Sequence, residues 1–259
     1  MEHSRHLLEQ DGVRLAAISY DSLETLAEFA EKYGIGFPLL SDSGSAVIRA
    51  FGIFNTNMAP DLRAYGVPHP VEYLLTSEGE VARKYFVPNY QHRVTGSAVA
   101  LREFGTADAV AGLVNLKSGA VTAQIGLASG YAFAGQELGF FAKFRLEPGW
   151  HVYGSPLPDG YTPTSVVFDD PKVIRQSFQL PPATPIEIAS LQQVLPVYSA
   201  SFEGVGSLLL KFPLAQGPTT LSGQLRFQQC SDRSCEPSET LRFELPLNIE
   251  KFLTAGLPG

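Results

Sequence analysis

The chain is short of sulfur and of tryptophan: its 259 residues include two cysteines, two methionines and one tryptophan. It does not depend on the cysteine pair for its fold, because 44% hydrophobic residues are enough for a buried core. No apolar run reaches the roughly 18 residues a bilayer-spanning helix needs. The opening MEHSRHLLEQDG is polar and lacks the apolar centre of a secretory signal, so no signal peptide is visible. Basic residues are in the minority, 19 against 26 acidic, for a net charge of −7. Without a basic face nucleic acid is not an expected partner. Five histidines, at 3, 6, 69, 92 and 151, are scattered. Together with two cysteines they give no four-ligand zinc spacing, so neither a metal nor any other cofactor is expected.

At 259 residues the chain exceeds the usual size of one domain, and its character changes near residue 110. Residues 1–104 alternate between α and β signals. VRLAAISYD (13–21) is a short apolar run of strand length, and a helix is expected to follow. Asp21 is its expected cap, with Glu24 three residues on as in a capping box. Leu23, Leu26, Ala27 and Ala30 recur at helical spacing, and Gly34 is expected to stop the helix. GSAVIRAFG (44–52) repeats that pattern on a smaller scale. VEYLLTSEGEVARKYFV (71–87) reads as a hairpin around Ser-Glu-Gly, and GSAVALREFG as a closing helix.

From residue 119 the text is strand-like. AVTAQIGLA, GFFAKFRLEPGWHVYG, TSVVFDD, SLLLKFPLA, LSGQLRFQQC and TLRFELPLNI are rich in β-branched and aromatic residues, with Gly, Pro, Asp and Ser clusters between them. The expected organisation is an α/β domain over 1–108, a linker over 109–118 and an all-β sandwich over 119–259.

Both cysteines fall in RFQQCSDRSCEPSETLRFEL (226–245), a polar loop between two strand-like runs, with four residues between Cys230 and Cys235. Facing positions on antiparallel strands have Cβ atoms about 4.5–5.5 Å apart, and modest adjustment reaches disulfide distance. One reading is a structural staple. Closing so small a loop removes little chain entropy, on the order of 2 kcal/mol. The other is a redox pair, since an exposed loop tip offers an accessible sulfur and a second thiol to resolve a mixed disulfide. Arg233 would favour a thiolate, while Asp232 and Glu236 would oppose it. Spacing leaves staple and redox pair both open.

Residues from about 119 to 249 resemble the N-terminal domain of the thiol:disulfide interchange protein DsbD. The likeness is carried by EPGWHVYG (147–154), GYTPTSVVF (160–168) and above all FQQCSDRSCEPSE (227–239). Phe227 and Ser238 are mild departures from that family's aromatic and second proline. The resemblance implies an immunoglobulin-like β-sandwich whose cysteine pair, Cys230 and Cys235, is redox-active. It also implies redox protein partners, a thioredoxin-like donor or acceptor or a membrane-embedded partner domain, and a periplasmic or cell-envelope location. By position PVYSASFEGVG (196–206) resembles the family's mobile cap, with Tyr198 and Phe202 as shields. Trp150 and Tyr153 match the aromatic segment under the active site. Taken singly, each of these aromatics is better explained as sandwich core.

The first half resembles the AhpC/TSA peroxiredoxin (redoxin) branch of the thioredoxin fold, over GVRLAAISYDSLETLAEFAEKYGIGFPLLSDSGSAVIRAFGI and YGVPHPVEYLLTSEGEVARKYF. In that pattern Pro70, after His69, is the cis-proline beside the active site; a plain turn proline is the alternative. The reactive cysteine of that family has no counterpart here, since residues 1–110 contain no cysteine. The expectation is therefore a thioredoxin-like domain incomplete at its N-terminus, without peroxide reduction or dithiol exchange of its own, in a chain whose family resemblances are to redox and antioxidant proteins. Thiol–disulfide exchange through Cys230 and Cys235 is the leading functional reading. A non-catalytic protein-interaction module with a structural disulfide is the rival.

Overall fold

In the computed structural model, which describes residues 1–57, 59–61, 65–86, 92–107, 112–188 and 193–251, the chain folds as two units, Met1–Gly96 and Ser97–Gly259. The first unit runs through a 3-10 turn (Glu2–Ser4), α1 (Arg5–Gln10), β1 (Ala17–Ser19), α2 (Leu23–Tyr33), β2 (Leu39–Ser41), α3 (Ala46–Ala50), β3 (Val71–Leu75), β4 (Val81–Phe86) and β5 (Arg93–Val94). β1 and β2 pair in parallel, and β3 and β4 form the expected antiparallel hairpin. Residue 87, the last of the hairpin run, lies outside the described residues.

Helix α2 starts one residue later than its sequence pattern indicates. Ser22, not Asp21, is the cap: its hydroxyl accepts the Thr25 N–H at 3.3 Å, satisfying one of the first-turn donors. Asp21 is engaged instead by the Ser19 hydroxyl. Gly34 ends the helix at φ 61°, the left-handed conformation glycine adopts without strain.

The cis peptide bonds among the described residues precede Pro156 and Pro213. The bond before Pro70 is not one of them, which corrects the expectation carried by the resemblance. His69 N–H donates to the Ile53 carbonyl at 2.8 Å, and the chain runs directly into β3 one residue later. Pro70 is thus the approach to a strand.

The second unit begins with most of α4 (Gly96–Phe104), the helix that sequence pattern groups with the first domain. It lies against β9, where Gly139 makes room: a Cβ there would come within 3.0 Å of Leu101 and 3.1 Å of Ala98. Arg102 Nη2, 2.6 Å from Glu137 Oε1, adds an ion pair, and Arg175 approaches the other oxygen of that buried carboxylate at 3.2 Å. Residues 108–111, in and beside the expected linker, lie outside the described residues, and Val114–Ser118 within it is a strand.

The strands of this unit are β6 (Val114–Ser118), β7 (Val121–Leu127), β8 (Tyr131–Ala132), β9 (Gln136–Leu146), β10 (Trp150–Tyr153), β11 (Ser165–Val167), β12 (Val173–Gln179), β13 (Thr184–Ile188), β14 (Gln193–Tyr198), β15 (Phe202–Leu210), β16 (Gly217–Phe227), β17 (Gln229–Ser231) and β18 (Glu239–Ile249). One sheet has the order β12-β15-β9-β7-β6, and a second the order β11-β16-β18-β8. Period-two alternation sends Leu138, Phe140, Ala142 and Phe144 of β9 and Phe243, Leu245, Leu247 and Ile249 of β18 into one buried core. This is the all-β sandwich that the strand patterns indicate.

A third, smaller sheet, β13-β14-β10-β17, carries Cys230, and Cys235 bridges to it from the turn beyond. No helix among the described residues is long and apolar enough to cross a membrane.

Candidate functional site

The site is a hairpin tip. β16 and β18 are paired from Gly217↔Ile249 to Phe227↔Glu239, and the chain between them rises as β17 and turns back through Cys235. Cys230 and Cys235 face each other across this turn and are joined as a disulfide, with Cα atoms 4.1 Å apart. Ser231 shapes the turn. Its N–H donates to the Ser234 carbonyl at 2.8 Å, and its hydroxyl accepts the N–H groups of Arg233 and Ser234 at 3.3 and 3.2 Å. These bonds satisfy backbone groups that a tight polar turn would otherwise leave to water.

The two sulfur-bearing residues differ sharply in burial. Cys230 is fully buried, whereas Cys235 is exposed. Beneath them lies Tyr153, itself fully buried, whose hydroxyl is 3.2 Å from Cys230 Sγ and 3.6 Å from Cys235 Sγ. Burial, and secondarily the neighbouring Tyr161, push the Tyr153 phenol above its ordinary pKa, so it stays a neutral O–H donor. Tyr161 packs edge-on against Tyr153 with ring centroids 5.1 Å apart. Leu195 and Val197 of β14 complete the buried cluster around Cys230 and Tyr153, with Ile186 and Ile188 of β13, Leu157 and Tyr161 against it.

Strand register decides which neighbours reach the sulfurs. β10 pairs with β17 as Trp150↔Ser231, His151↔Cys230 and Val152↔Gln229. His151, Tyr153 and Cys230 therefore share one face, and Trp150 points to the other. There Trp150 lines a cleft of about 460 Å³ with Glu147, Gln229, Glu236 and Glu239. Tyr198 and Phe202 also lie away from the disulfide. Their rings stack at 4.2 Å, Phe202 stacks on Phe144 at 4.5 Å, and all three belong to the main sandwich core. The Tyr198 hydroxyl donates to the Pro181 carbonyl at 2.7 Å, and burial raises its pKa. Of the segment 196–206, it is Val197 that faces the cysteine cluster. Thus the structure brings Cys230, Cys235 and Tyr153 together and sets Trp150, Tyr198 and Phe202 elsewhere in the same unit. Pro70 belongs to the other unit.

Three contributors escaped sequence reading. Gln229, 3% exposed, accepts the Ala120 N–H at 2.9 Å and donates to Glu239 at 2.6 Å, and Glu239 in turn holds the Ser118 hydroxyl. Gln228 accepts the Thr162 N–H at 3.2 Å and donates to the Glu236 carbonyl at 3.1 Å. The two glutamines before Cys230 therefore clamp the hairpin from opposite faces. The third is His151, 6% exposed, whose Nε2 has no hydrogen-bond partner among the described residues. A pair of adjacent amides and a lone histidine beside a tryptophan were the available signals.

Comparison with known proteins divides the chain in the same order. Residues 1–84 match the AhpC/TSA family, and residues 125–247 match the family described as thiol:disulfide interchange protein DsbD, N-terminal. Peroxiredoxin Bcp of Xanthomonas campestris pv. campestris is 29% identical over 77 residues, which is 30% of this chain and 48% of that protein. The chain thus spans about half the length of this curated relative. Among solved structures, the N-terminal periplasmic domain of ScsB from Proteus mirabilis is similar at 14% identity and TM-score 0.38, covering 54% of this chain and 51% of that one. The reduced N-terminal domain of Neisseria meningitidis DsbD aligns at 18% identity and TM-score 0.27, covering 42% and 78%.

Proposed function

From a chain that joins an AhpC/TSA-type segment to a DsbD N-terminal-type domain, we propose that the function is thiol–disulfide exchange with a redox protein partner through Cys230 and Cys235. One observation carries the reading: the bridge has an exposed residue on one side, a buried one on the other, and a tyrosine hydroxyl within hydrogen-bond range of both sulfurs. Exchange needs that asymmetry, because one sulfur has to be reached by the partner and the other has to resolve the intermediate.

The steps follow from exposure. A partner thiolate attacks Cys235 Sγ, the Cys230–Cys235 bond breaks, and a mixed disulfide to Cys235 forms. The Cys230 sulfur leaves with the electron pair as a thiolate, to which the Tyr153 hydroxyl donates, and is then protonated. The partner's second thiolate attacks its own bridged sulfur and releases Cys235. Two electrons and two protons have moved, and the partner is the disulfide. Run backwards, the same steps let the reduced domain reduce a partner. Ile186, Ile188, Leu195 and Val197 of the β13–β14 hairpin keep water from Cys230. The AhpC/TSA-type segment contributes no thiol, having no cysteine. We place the protein in the periplasm or cell envelope, where disulfides form and persist.

The test is the reduction potential of the pair, measured by equilibration with thiol buffers, alongside reduction of a model protein disulfide. Exchange predicts a potential near those of thioredoxin-like donors and loss of reductase activity when both cysteines become serine. A potential well below about −300 mV, or reductase activity that survives the double substitution, would leave a structural staple in an interaction module.

A further inference from the structure

The proposed exchange leaves one chemical step unprovided for. When the reduced domain acts, Cys230 has to attack the mixed disulfide as a thiolate, yet it is fully buried among Leu195, Val197 and Tyr153. A thiol in apolar surroundings holds its proton, and water is not at hand to take it. Tyr153 can stabilise the thiolate once it has formed, but a neutral phenol that donates to sulfur cannot take the proton away. The site therefore needs a buried base next to Cys230.

His151 occupies that position. It is the residue directly opposite Cys230 in the β10–β17 ladder, so the two side chains leave the same face of the sheet. Its ring lies edge-on to Tyr153, a member of the Cys230 cluster, with centroids 5.6 Å apart. Its Nε2 is buried without a hydrogen-bond partner among the described residues, in a structure where buried polar atoms are otherwise nearly all paired. An orphaned imidazole nitrogen in an apolar pocket is costly, and a thiol proton would satisfy it.

We propose that His151 is the proton acceptor and donor for Cys230, resting on the exchange reading above. In the oxidative direction the Cys230 thiol gives its proton to neutral His151, and the thiolate attacks Cys235 Sγ of the mixed disulfide. The Cys230–Cys235 bond forms, the Cys235–partner bond breaks, and the partner sulfur leaves with the electron pair. The imidazolium returns the proton to that leaving thiolate or to solvent. In the reductive direction His151 takes up the proton that the partner thiol gives up on becoming the attacking thiolate, or one from solvent, and passes it to Cys230 as that sulfur leaves. The groups facing the imidazole are consistent with this role. Tyr153 lies on its own strand, with both cysteines on the facing hairpin and the Asp232 carboxylate in the cysteine turn. Burial lowers the imidazole pKa and Asp232 in the cysteine turn raises it, with burial the larger, so the ring is neutral and basic near pH 7.

The reduced full chain, mixed in stopped flow with 5,5′-dithiobis(2-nitrobenzoic acid), releases one thionitrobenzoate when Cys235 attacks and a second when Cys230 resolves. His151→Gln should slow the second release relative to the first on the order of 100-fold. It should also abolish the acid-side inflection in the pH profile of that second phase. A second phase with unchanged ratio and pH profile overturns the proposal, as does an equal slowing of both phases, which marks a structural role. If no thionitrobenzoate is released by wild type, it is the exchange reading that fails. Should the variant not fold, the wild-type protein still decides. The His151 imidazole resonance must titrate differently in the disulfide and dithiol forms, and a titration identical in both overturns the proposal.

Discussion

Replacing Tyr153 with phenylalanine removes one oxygen and leaves the ring that packs between Tyr161 and Cys230. That oxygen is 3.2 Å from Cys230 Sγ and 3.6 Å from Cys235 Sγ, so it is shared by the two sulfurs and favours the nearer. A hydrogen bond to an ionised acceptor is worth about 1.5–3 kcal/mol. At a factor of ten per about 1.4 kcal/mol, losing it cuts the thiolate fraction by roughly 10- to 100-fold. Each thiolate that remains is more basic and attacks faster, with a Brønsted slope of about 0.4–0.5, which returns about half of the loss on a logarithmic scale. The net expectation is therefore a roughly 3- to 10-fold slower reaction at neutral pH. Reduced Tyr153→Phe protein would be treated with iodoacetamide and the two cysteine peptides followed by mass spectrometry. Cys230 should slow more than Cys235, because it is closer to the hydroxyl. Folding stability should fall by only about 1 kcal/mol, since no partner of the lost hydroxyl is a strong donor left unsatisfied. Wild-type alkylation at both cysteines would show that the hydroxyl does not stabilise thiolates and that Tyr153 serves packing alone.

Three further outcomes follow from the same geometry. Cys230→Ser should release one thionitrobenzoate and stop at a stable mixed disulfide, whereas Cys235→Ser should suppress the fast first phase; equal behaviour of the two would contradict the assignment of Cys235 as the sulfur the partner meets. Gln229→Ala strands the Ala120 N–H and frees Glu239, both in the clamp under the hairpin, and should destabilise the second unit by about 2–3 kcal/mol, read by urea unfolding; a loss under half a kcal/mol, taking about 0.5 as the surface-substitution level, would refute the clamp. For His151 the folded pKa lies below the unfolded value of about 6.5. The unfolded chain then binds the proton first as pH falls. The stabilising contribution is whole above the unfolded value and is lost as the pH drops from there through the lower folded one. Urea unfolding across that window should show the decline in wild type and a shallower one in His151→Gln, and coincident slopes would contradict it.

The sandwich was legible because its strands alternate cleanly: TLRFELPLNI announces Phe243, Leu245, Leu247 and Ile249 as one buried face. The cysteine pair was legible for a related reason, a polar turn between two such runs. What sequence could not supply was parity. Val197 and Tyr198 are neighbours, yet one faces the disulfide cluster and the other the main core. Trp150 and His151 divide in the same way across β10. The conspicuous aromatic was credited in each pair, and the register gave the position to the plainer residue. Val114–Ser118 was hidden by its small and polar composition, since VNLKS buries only alternate positions and only in part. At the start of α2 both Asp21 and Ser22 are competent caps, and which one serves was settled by the Ser19 hydroxyl claiming Asp21.

A bridge with one end in solvent and one in the interior also wears unevenly. On the exchange reading, peroxide that met the reduced pair would encounter Cys235 first, and a sulfenic acid formed there would stand beside a sheltered thiol. Condensation of the two would expel water and restore the S–S bond before the outer sulfur climbed to its irreversible oxides. Oxidative damage at this hairpin would thereby be turned back into the resting state.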